Sequence, residues 1–440
     1  MKIILSVILV FSCMPFAFAQ EYPDLGVKVE TVAENLKIPW SIAWTPDGMI
    51  FFTERDGNLR TIQNGIVSEP IFSVDVGGVE GGLLGIALDP NYSENHYIYL
   101  YYTYNDFLST KNKVVRYVES NLSLSEDKIL IDEIPGGPFH DGGRIKFGPD
   151  GKLYITTGDA ANADLAQDKS SIAGKILRIN SDGTIPEDNP FSGSPIYSIG
   201  HRNPQGLDWD SSGRLVVTEH GPSGFYGVAQ DEINLIEPGL NYGWPDIIGP
   251  QTREGMVTPI LNTGDDPWAP SGSDFYDGDK IPQWSGKYFV ATLRGAHLHM
   301  IDFDLENNKV VSNQKLFDGE FGRLRDVATG PDGYLYILTS NKDGRGYPQV
   351  NDDRILRIVP LNEINNFEQC VAAGNPVMES YPRQCRANDQ TFVEQIETSE
   401  QKIPDWVRNI FIWYGENKVS EEELLNAIKF LVQQEIIKLD

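Results

Sequence analysis

The sequence predicts an all-β fold, a six-bladed β-propeller at about residues 25–361 with a small C-terminal helical appendage. Three observations predict it. A turn followed by a short apolar strand recurs six times at intervals of several tens of residues. Turn-forming residues are abundant, with 42 Gly and 27 Pro, while only 22% of residues are charged. The length of 440 residues suits one propeller plus a small extra module.

The clearest repeats are Pro46-Asp47-Gly48 before Met49–Phe52, Pro149-Asp150-Gly151 before Lys152–Ile155, and Pro331-Asp332-Gly333 before Tyr334–Ile337. Looser copies precede Tyr97–Leu100, Leu215–Val217 and Tyr288–Val290. Proline presets φ and glycine takes the positive-φ position, so each repeat is a hairpin turn with a mechanism. A propeller sheet buries its faces only against its neighbours, so the chain must close on itself. The strand Arg354–Val359 is the candidate to pair with Val27–Val32 and do so. Residues 362–402 are polar and read as a linker. Residues 403–440 read as a small helical module, in which Ser420 and Glu423 form a capping box before the apolar periodicity of Leu424, Leu425, Ile428, Leu431, Val432 and Ile436.

Residues 1–19 read as an export signal: Lys2, an apolar run from Ile3 to Val10, then Ala17-Phe18-Ala19. The run is too short to span a bilayer, and no later stretch is apolar enough to do so. The expected location is periplasmic, pseudoperiplasmic or extracellular. An oxidising compartment pairs the two remaining cysteines, Cys370 and Cys385, in a disulfide stabilising its segment by roughly 3 kcal/mol. The net charge of −27 argues against nucleic acid and anionic lipid as partners. An anionic ligand would need a local cluster of cations.

Four segments carry candidate chemistry. His140-Asp141-Gly142-Gly143-Arg144 precedes one strand, and Gly158-Asp159 follows the next strand of the same hairpin. A histidine held by a carboxylate has a fixed tautomer and suits proton abstraction from an alcohol. Gly200–Gly206 places Arg202 and Asn203 in a polar turn, where forked donors suit a carboxylate. Glu219–Pro222, Asp231–Leu235 and Asn241–Pro245 combine turn carbonyls with acids, hard ligands suited to calcium. Arg323 and Arg325 alternate along a strand and point to one side.

With these motifs in view, the chain resembles the soluble quinoprotein glucose/sorbosone dehydrogenases, or aldose sugar dehydrogenases, which use pyrroloquinoline quinone (PQQ). The resemblance covers about residues 30–360. It rests on Glu80–Gly85, His140–Arg144, Gly174–Arg178, Gly200–Gly206, Asp231–Leu235 and Arg323–Asp326. It implies that His140 takes the proton of a sugar's anomeric hydroxyl, that Asp159 orients it, and that hydride passes to PQQ, leaving a lactone. It further implies PQQ contacts from Glu80, Arg202, Asn203, Trp268, Arg294, Arg323 and Arg325. The carbonyls of Gly221 and Pro222 match ligands of an active-site Ca²⁺, and Glu232 and Tyr242 match a second, structural Ca²⁺ site. The implied partners are an aldose substrate and an external electron acceptor. Glu80 stands where some members have Gln and Arg294 where some have Lys; an anion at position 80 needs a proton or an arginine partner.

Two other readings belong to different classes. A non-catalytic propeller binding a protein or glycan would have lost the His, Asp or Arg set. A calcium-dependent lactonase would converge several carboxylates on the axis and lack the arginine pair.

Overall fold

The computed structural model describes residues 19–433 apart from 108, 223–228, 362–363, 365, 373–374, 379, 381, 388–389 and 396–404. Residues 1–18 of the expected export signal, and residues 403–404 and 434–440 of the expected helical module, lie outside the described residues. The chain divides into two compact units, Met1–Leu361 and Asn362–Asp440.

Among the described residues the first unit is mostly β, built from six small antiparallel sheets. Their first strands are Pro39–Trp44, Leu83–Leu88, Ile145–Phe147, Pro204–Trp209, Pro270–Phe275 and Leu324–Thr329. The repeat turns behave as their residues require. Gly48, Gly151 and Gly333 have φ of 87°, 71° and 79°. Their amides donate to the carbonyls of Thr45, Gly148 and Gly330, closing β-turns that only glycine enters without strain.

Sheet stacking follows from apolar composition. Inner strands such as Leu153–Thr157 are buried on both faces, whereas an outer strand such as Lys309–Leu316 is mostly exposed. The first and second sheets share a core of Phe51, Leu59, Leu83 and Leu100. The second and third share Tyr99, Val114, Ile145 and Leu153. The third and fourth meet at Tyr154, Ile176, Leu207 and Val217, the fourth and fifth at Val216, Ile233, Tyr288 and Val290, and the fifth and sixth at Phe289, Leu298, Leu324 and Leu335. The sixth then packs on the first through Leu338, Ile355, Ile42 and Phe52. The strand Val27–Ala33 pairs antiparallel with Ile355–Pro360, Val29 opposite Ile358. An early strand thus completes the last sheet, as the sequence led us to expect, with the short strand Gln20–Tyr22 added at its edge.

This arrangement positions the site. Every first strand begins, and every second strand ends, at the same edge of its sheet, because the two are antiparallel neighbours. Residues just before the first strands (Glu80, His140, Arg202, Arg323) and just after the second strands (Arg55, Asp159, His220, Arg294) therefore gather at one end.

In the second unit the stretch expected as a linker carries structure: a helix at Phe367–Ala372 and a three-stranded sheet of Val377–Met378, Gln384–Ala387 and Gln390–Val393. Cys370 and Cys385 form the expected disulfide, 15 residues apart, and with Phe367 and Ala387 make a small core. Four buried residues in a polar stretch were too few to betray it. Helices follow at Asp405–Gly415 and Glu421–Gln433. The capping box is present: Ser420 N–H donates to Glu423 Oε2 at 2.7 Å, and Glu423 N–H donates to Ser420 Oγ at 3.2 Å. No helix among the described residues is long and apolar enough to cross a membrane.

Candidate active site

His140 and Asp159 meet at 2.7 Å between Nδ1 and Oδ1. Their side chains are 19% and 2% exposed, an imidazole at a surface backed by a buried acid. Asp159 is itself held: Ala161 N–H donates to Oδ1 at 2.8 Å and Trp244 Nε1–H to Oδ2 at 2.9 Å. With Nδ1 committed to the carboxylate, Nε2 is the nitrogen with a free lone pair. The backbone at His140 is left-handed, φ 65°, a conformation a non-glycine residue keeps only when its surroundings impose it. Those surroundings are close: a Cβ on Gly158 would lie 1.8 Å from the His140 carbonyl oxygen, so glycine is needed beside Asp159 for the two segments to approach.

His140 lines a cavity of about 580 Å³ together with Glu80, Phe139, Arg202, His220, Asp231, Pro267, Ala269, Leu293, Arg294, Arg323 and Arg345. A narrower hollow of about 60 Å³ shares Glu80, His220, Arg323 and Arg345 with it and adds Trp40, Arg55, Asp141, Gln205, Arg325 and Asp343. Guanidinium groups thus dominate the site of a chain whose net charge is −27. Burial pushes the Arg325 guanidinium down to about 9, and lowers that of Arg202 as well. Burial, with Arg202 and Arg325 nearby, holds the His220 imidazole well below its ordinary value, so it stays neutral.

Polar atoms around these hollows lack a protein partner. Among the described residues that line them these are Nε of Arg202 and Arg325, Nε2 of His220 and Oδ2 of Asp141, all buried, with Nη2 of Arg144 and Nδ2 of Asn203 unpaired just outside the linings. Native structures leave few such groups unpaired. The unpaired nitrogens of Arg202, Arg325 and His220, spread over the two adjoining hollows, are a donor set suited to a ligand rich in acceptor oxygens. The arginines are aimed by neutral and ionic contacts: Arg325 Nη1 donates to Gln205 Oε1 at 2.8 Å, Arg202 Nη1 to the His220 carbonyl at 3.2 Å, and Arg323 Nε to Asp343 Oδ2 at 2.8 Å.

Of the residues singled out from sequence, His140, Glu80, Arg202, Arg294 and Arg323 line the larger cavity, and Arg325 the narrower one. Asp159 stands behind His140. Asn203 and Trp268 are not in either lining. Asn203 Oδ1 accepts from Gly142 N–H at 3.1 Å, bracing the histidine loop. The Trp268 ring packs on His299 at 3.9 Å between centroids, and its Nε1–H donates to Asp266 at 3.0 Å; its neighbours Pro267 and Ala269 face the cavity instead. Glu80 has the arginine partner that an anion at this position requires: its Oε1 lies 2.6 Å from Arg345 Nη1.

Sequence reasoning missed Arg345 as a site residue and placed Trp244, Asp231 and His220 only within the segments suited to calcium. His220 and Arg345 follow the second strands of their sheets, Asp231 directly precedes and Trp244 follows the third strand Glu232–Ile236, and Arg345 sits in the glycine-flanked run Gly344-Arg345-Gly346. Polar residues just past a second strand were the usable signal. Asp231 ties two walls together, accepting from Gly221 N–H at 2.8 Å and from the amides of Trp268 and Ala269, each at 2.9 Å.

The calcium candidates fall in two places. Gly221 is packed against backbone oxygens: a Cβ there would lie 2.2 Å from the carbonyls of Ala229 and Gln230. Glu232 and Tyr242 lie apart from the cavity lining. The Glu232 carboxyl is pushed up to about 8 by burial and by Glu219. Beside it Gln230 Oε1 and Asn234 Oδ1 are buried without a partner. Unpaired buried oxygens suit a hard cation, although both Glu232 oxygens are already engaged, accepting from Gly249 N–H at 2.9 Å and from Asn234 Nδ2–H at 3.2 Å. The Tyr242 hydroxyl is engaged elsewhere, donating to the Leu235 carbonyl at 2.7 Å, so only its backbone oxygen is available for such a role.

A separate effect concerns Asp141, whose carboxyl burial pushes up to about 6 from the ordinary 3.8. The folded chain holds this proton more tightly than the unfolded chain, so stability is greatest below pH about 4 and declines as pH rises to about 6. Its Oδ2 has no partner. Asp141→Asn is therefore expected to stabilise the ligand-free protein at pH 7 by about 3 kcal/mol, with no gain at pH 4. Urea melts at the two pH values check this; equal stabilisation at both would defeat it.

A cationic cavity at the converging ends of small antiparallel sheets, with one carboxylate-held histidine facing it, sets donors for an anion beside a proton acceptor. The chain belongs to the glucose/sorbosone dehydrogenase family, whose model matches residues 36–356. Aldose sugar dehydrogenase YliI of Escherichia coli (strain K12) is 36% identical over 365 residues, covering 76% of this chain and 94% of its own. Quinoprotein glucose dehydrogenase B of Acinetobacter calcoaceticus is 34% identical over 310 residues, covering 60% and 63%. The structure of the PQQ-bound form of aldose sugar dehydrogenase from Streptomyces coelicolor is 37% identical, with a TM-score of 0.68, covering 79% of this chain and 99% of that one.

Proposed function

We propose that the chain is an exported aldose sugar dehydrogenase, a six-bladed propeller at residues 25–361 that oxidises the anomeric carbon of an aldose to a lactone with PQQ and Ca²⁺. The observation that carries this reading is the His140–Asp159 pair facing the same cavity as Arg202 and Arg323. The PQQ-bound relative and the unpartnered buried donors of Arg202, Arg325 and His220 support the cofactor assignment. The guanidinium groups in the cavity tell against a carboxylate-lined lactonase centre.

Arg202, Arg294 and Arg323, with Arg325 below them, would hold the carboxylates and carbonyls of PQQ; Glu80, paired to Arg345, closes one side. Asn203 and Trp268 support the walls through Gly142 and through the chain on either side of the indole. When bound, PQQ supplies the two-electron acceptor for the hydride that leaves the anomeric carbon. Ca²⁺ on the Gly221 and Pro222 carbonyls would supply Lewis acidity at that acceptor, and a second ion at Glu232 and Tyr242 would steady the fourth sheet.

The protein's own part is the proton. His140 Nε2 accepts it from the anomeric hydroxyl as the C–O bond gains double-bond character. The Nδ1–H bond to Asp159 fixes the tautomer that makes this possible and stabilises the imidazolium that results. Trp244 and Ala161 keep Asp159 from rotating away. The proton then leaves His140 to solvent; an external acceptor would take the two electrons of the hydride, whose own proton would be released with them.

Reconstitution with PQQ and Ca²⁺, followed by dye reduction with a panel of aldoses, tests the reading. Turnover that needs both additions is expected. Absence of turnover with every sugar, together with no change in PQQ absorbance on mixing, would defeat it.

A further inference from the structure

We propose that Arg345 is a positioning residue for His140, acting through the Glu80 carboxylate. The inference rests on the reading of His140 as the base and adds a group to its support.

Glu80 reaches both partners. Its Oε1 lies 2.6 Å from Arg345 Nη1, and its Oε2 accepts from the His140 backbone N–H at 3.3 Å. Arg345 also lies over the ring of Phe139, the residue before His140, 5.7 Å from its centroid. Both ends of this bridge are secured. Arg345 N–H donates to Asp343 Oδ1 at 2.9 Å, while Glu80 N–H donates to the Pro138 carbonyl at 3.2 Å. One guanidinium thus tethers the Phe139–His140 segment on its backbone side, as Asp159 tethers it on the imidazole side.

The tether matters because His140 is left-handed at φ 65°. A residue in that region relaxes when its restraints are removed. Glu80 is the restraint on the amide, and it has competing cations close by: Arg55 and Arg323 line the same narrow hollow. Without Arg345 the carboxylate turns toward them and leaves the His140 amide. Arg345 is 55% exposed at its side chain, so its charge is screened and its effect is one of direction rather than of field.

A carboxylate at position 80 needs a counter-charge; an amide does not. Glutamine there still accepts from the His140 N–H, and it does so without Arg345. The dependence on Arg345 is therefore tied to the acid at position 80, which a double-mutant cycle reads directly.

The experiment compares Arg345→Ala, Arg345→Lys, Glu80→Gln and the double variant Glu80→Gln/Arg345→Ala. Two readouts are used: kcat and KM for an aldose in the PQQ- and Ca²⁺-loaded enzyme, and the His140 Nδ1–H proton resonance in cofactor-free protein, assigned by its loss in His140→Asn. Arg345→Ala should lower kcat by about tenfold with little change in KM, as small misplacements of a reacting group do, and should broaden or shift the resonance. Arg345→Lys should recover most of both. In the Glu80→Gln background the same alanine change should alter kcat by less than about twofold relative to Glu80→Gln itself. Equal losses in both backgrounds would show that Arg345 touches the ligand directly and would overturn the proposal, as would a His140 resonance unmoved by Arg345→Ala. Because the resonance needs neither cofactor nor sugar, it decides the tether even where the sugar-oxidising reading fails.

Discussion

His140→Ala is expected to lower sugar oxidation by about 10²- to 10⁴-fold, the usual worth of a positioned general base, while PQQ still binds. The expectation comes from the division of labour in the cavity. His140 sits on the loop before the third sheet and meets Asp159 at 2.7 Å. The guanidinium groups of Arg202, Arg323 and Arg325 come from other sheets and are aimed by their own contacts with the His220 carbonyl, Asp343 and Gln205. Removing the imidazole leaves all of those in place. Left-handed backbone at φ 65° penalises alanine as it does histidine, so His140→Asn, which tolerates that region, separates a chemical loss from a folding one. Both variants should bind PQQ by absorbance titration and both should fail in dye reduction. A His140→Asn enzyme with near-wild-type kcat would mean that another group takes the proton.

Arg325→Met is expected to have two opposed effects: a ligand-free protein that unfolds at higher temperature, and an affinity for PQQ lower by about 10²-fold. Arg325 is 5% exposed. Its Nη1 reaches only the neutral acceptors Gln205 Oε1 and Ser271 Oγ, and its Nε has no partner. Burial pushes this guanidinium down to about 9, a sign that its charge is poorly compensated when the protein stands alone. Methionine fills similar space beside Trp40 without the desolvation cost, a gain of about 1–3 kcal/mol where buried charges have been replaced by apolar groups. Gln205 Oε1 is not abandoned, since Ser271 Oγ lies 3.4 Å away as a second donor. With an anionic cofactor present the sign reverses, because the buried charge then has an opposite charge to meet, and losing one such contact costs about 3 kcal/mol. Thermal melts with and without PQQ measure both effects. A variant less stable without cofactor, or equally tight for it, would show that Arg325 is a structural group and not a cofactor ligand.

Much of the fold was legible because it is local. The turns at Gly48, Gly151 and Gly333, the buried strands that follow them, and the capping box at Ser420 and Glu423 follow from residue type and spacing, whereas the distant pairing of Val27–Ala33 with Ile355–Pro360 was expected because stacked sheets must close on themselves. The site was legible in part for the same reason: His140 and Asp159 belong to neighbouring strands of one hairpin. The small sheet around Cys370 and Cys385 was missed, since its core is a handful of residues in a polar stretch. The roles of Arg345 and Trp244 were missed because each acts on a residue far away in the chain, Glu80 and Asp159, through contacts that no local period encodes.

The amino-acid order by itself determined where the chain turns, which strands are apolar on both faces, and that an acidic protein carries arginines and one histidine–aspartate hairpin at strand ends. Only the tertiary structure decided which of those ends meet: that Glu80 is paired with Arg345, that Trp268 turns its ring to His299 while its neighbours face the cavity, and that Asn203 Oδ1 braces the histidine loop. The reason is physical. Turn and strand preferences depend on a few adjacent residues, whereas the direction of a side chain at the converging edge depends on how six separately packed sheets are rotated against one another.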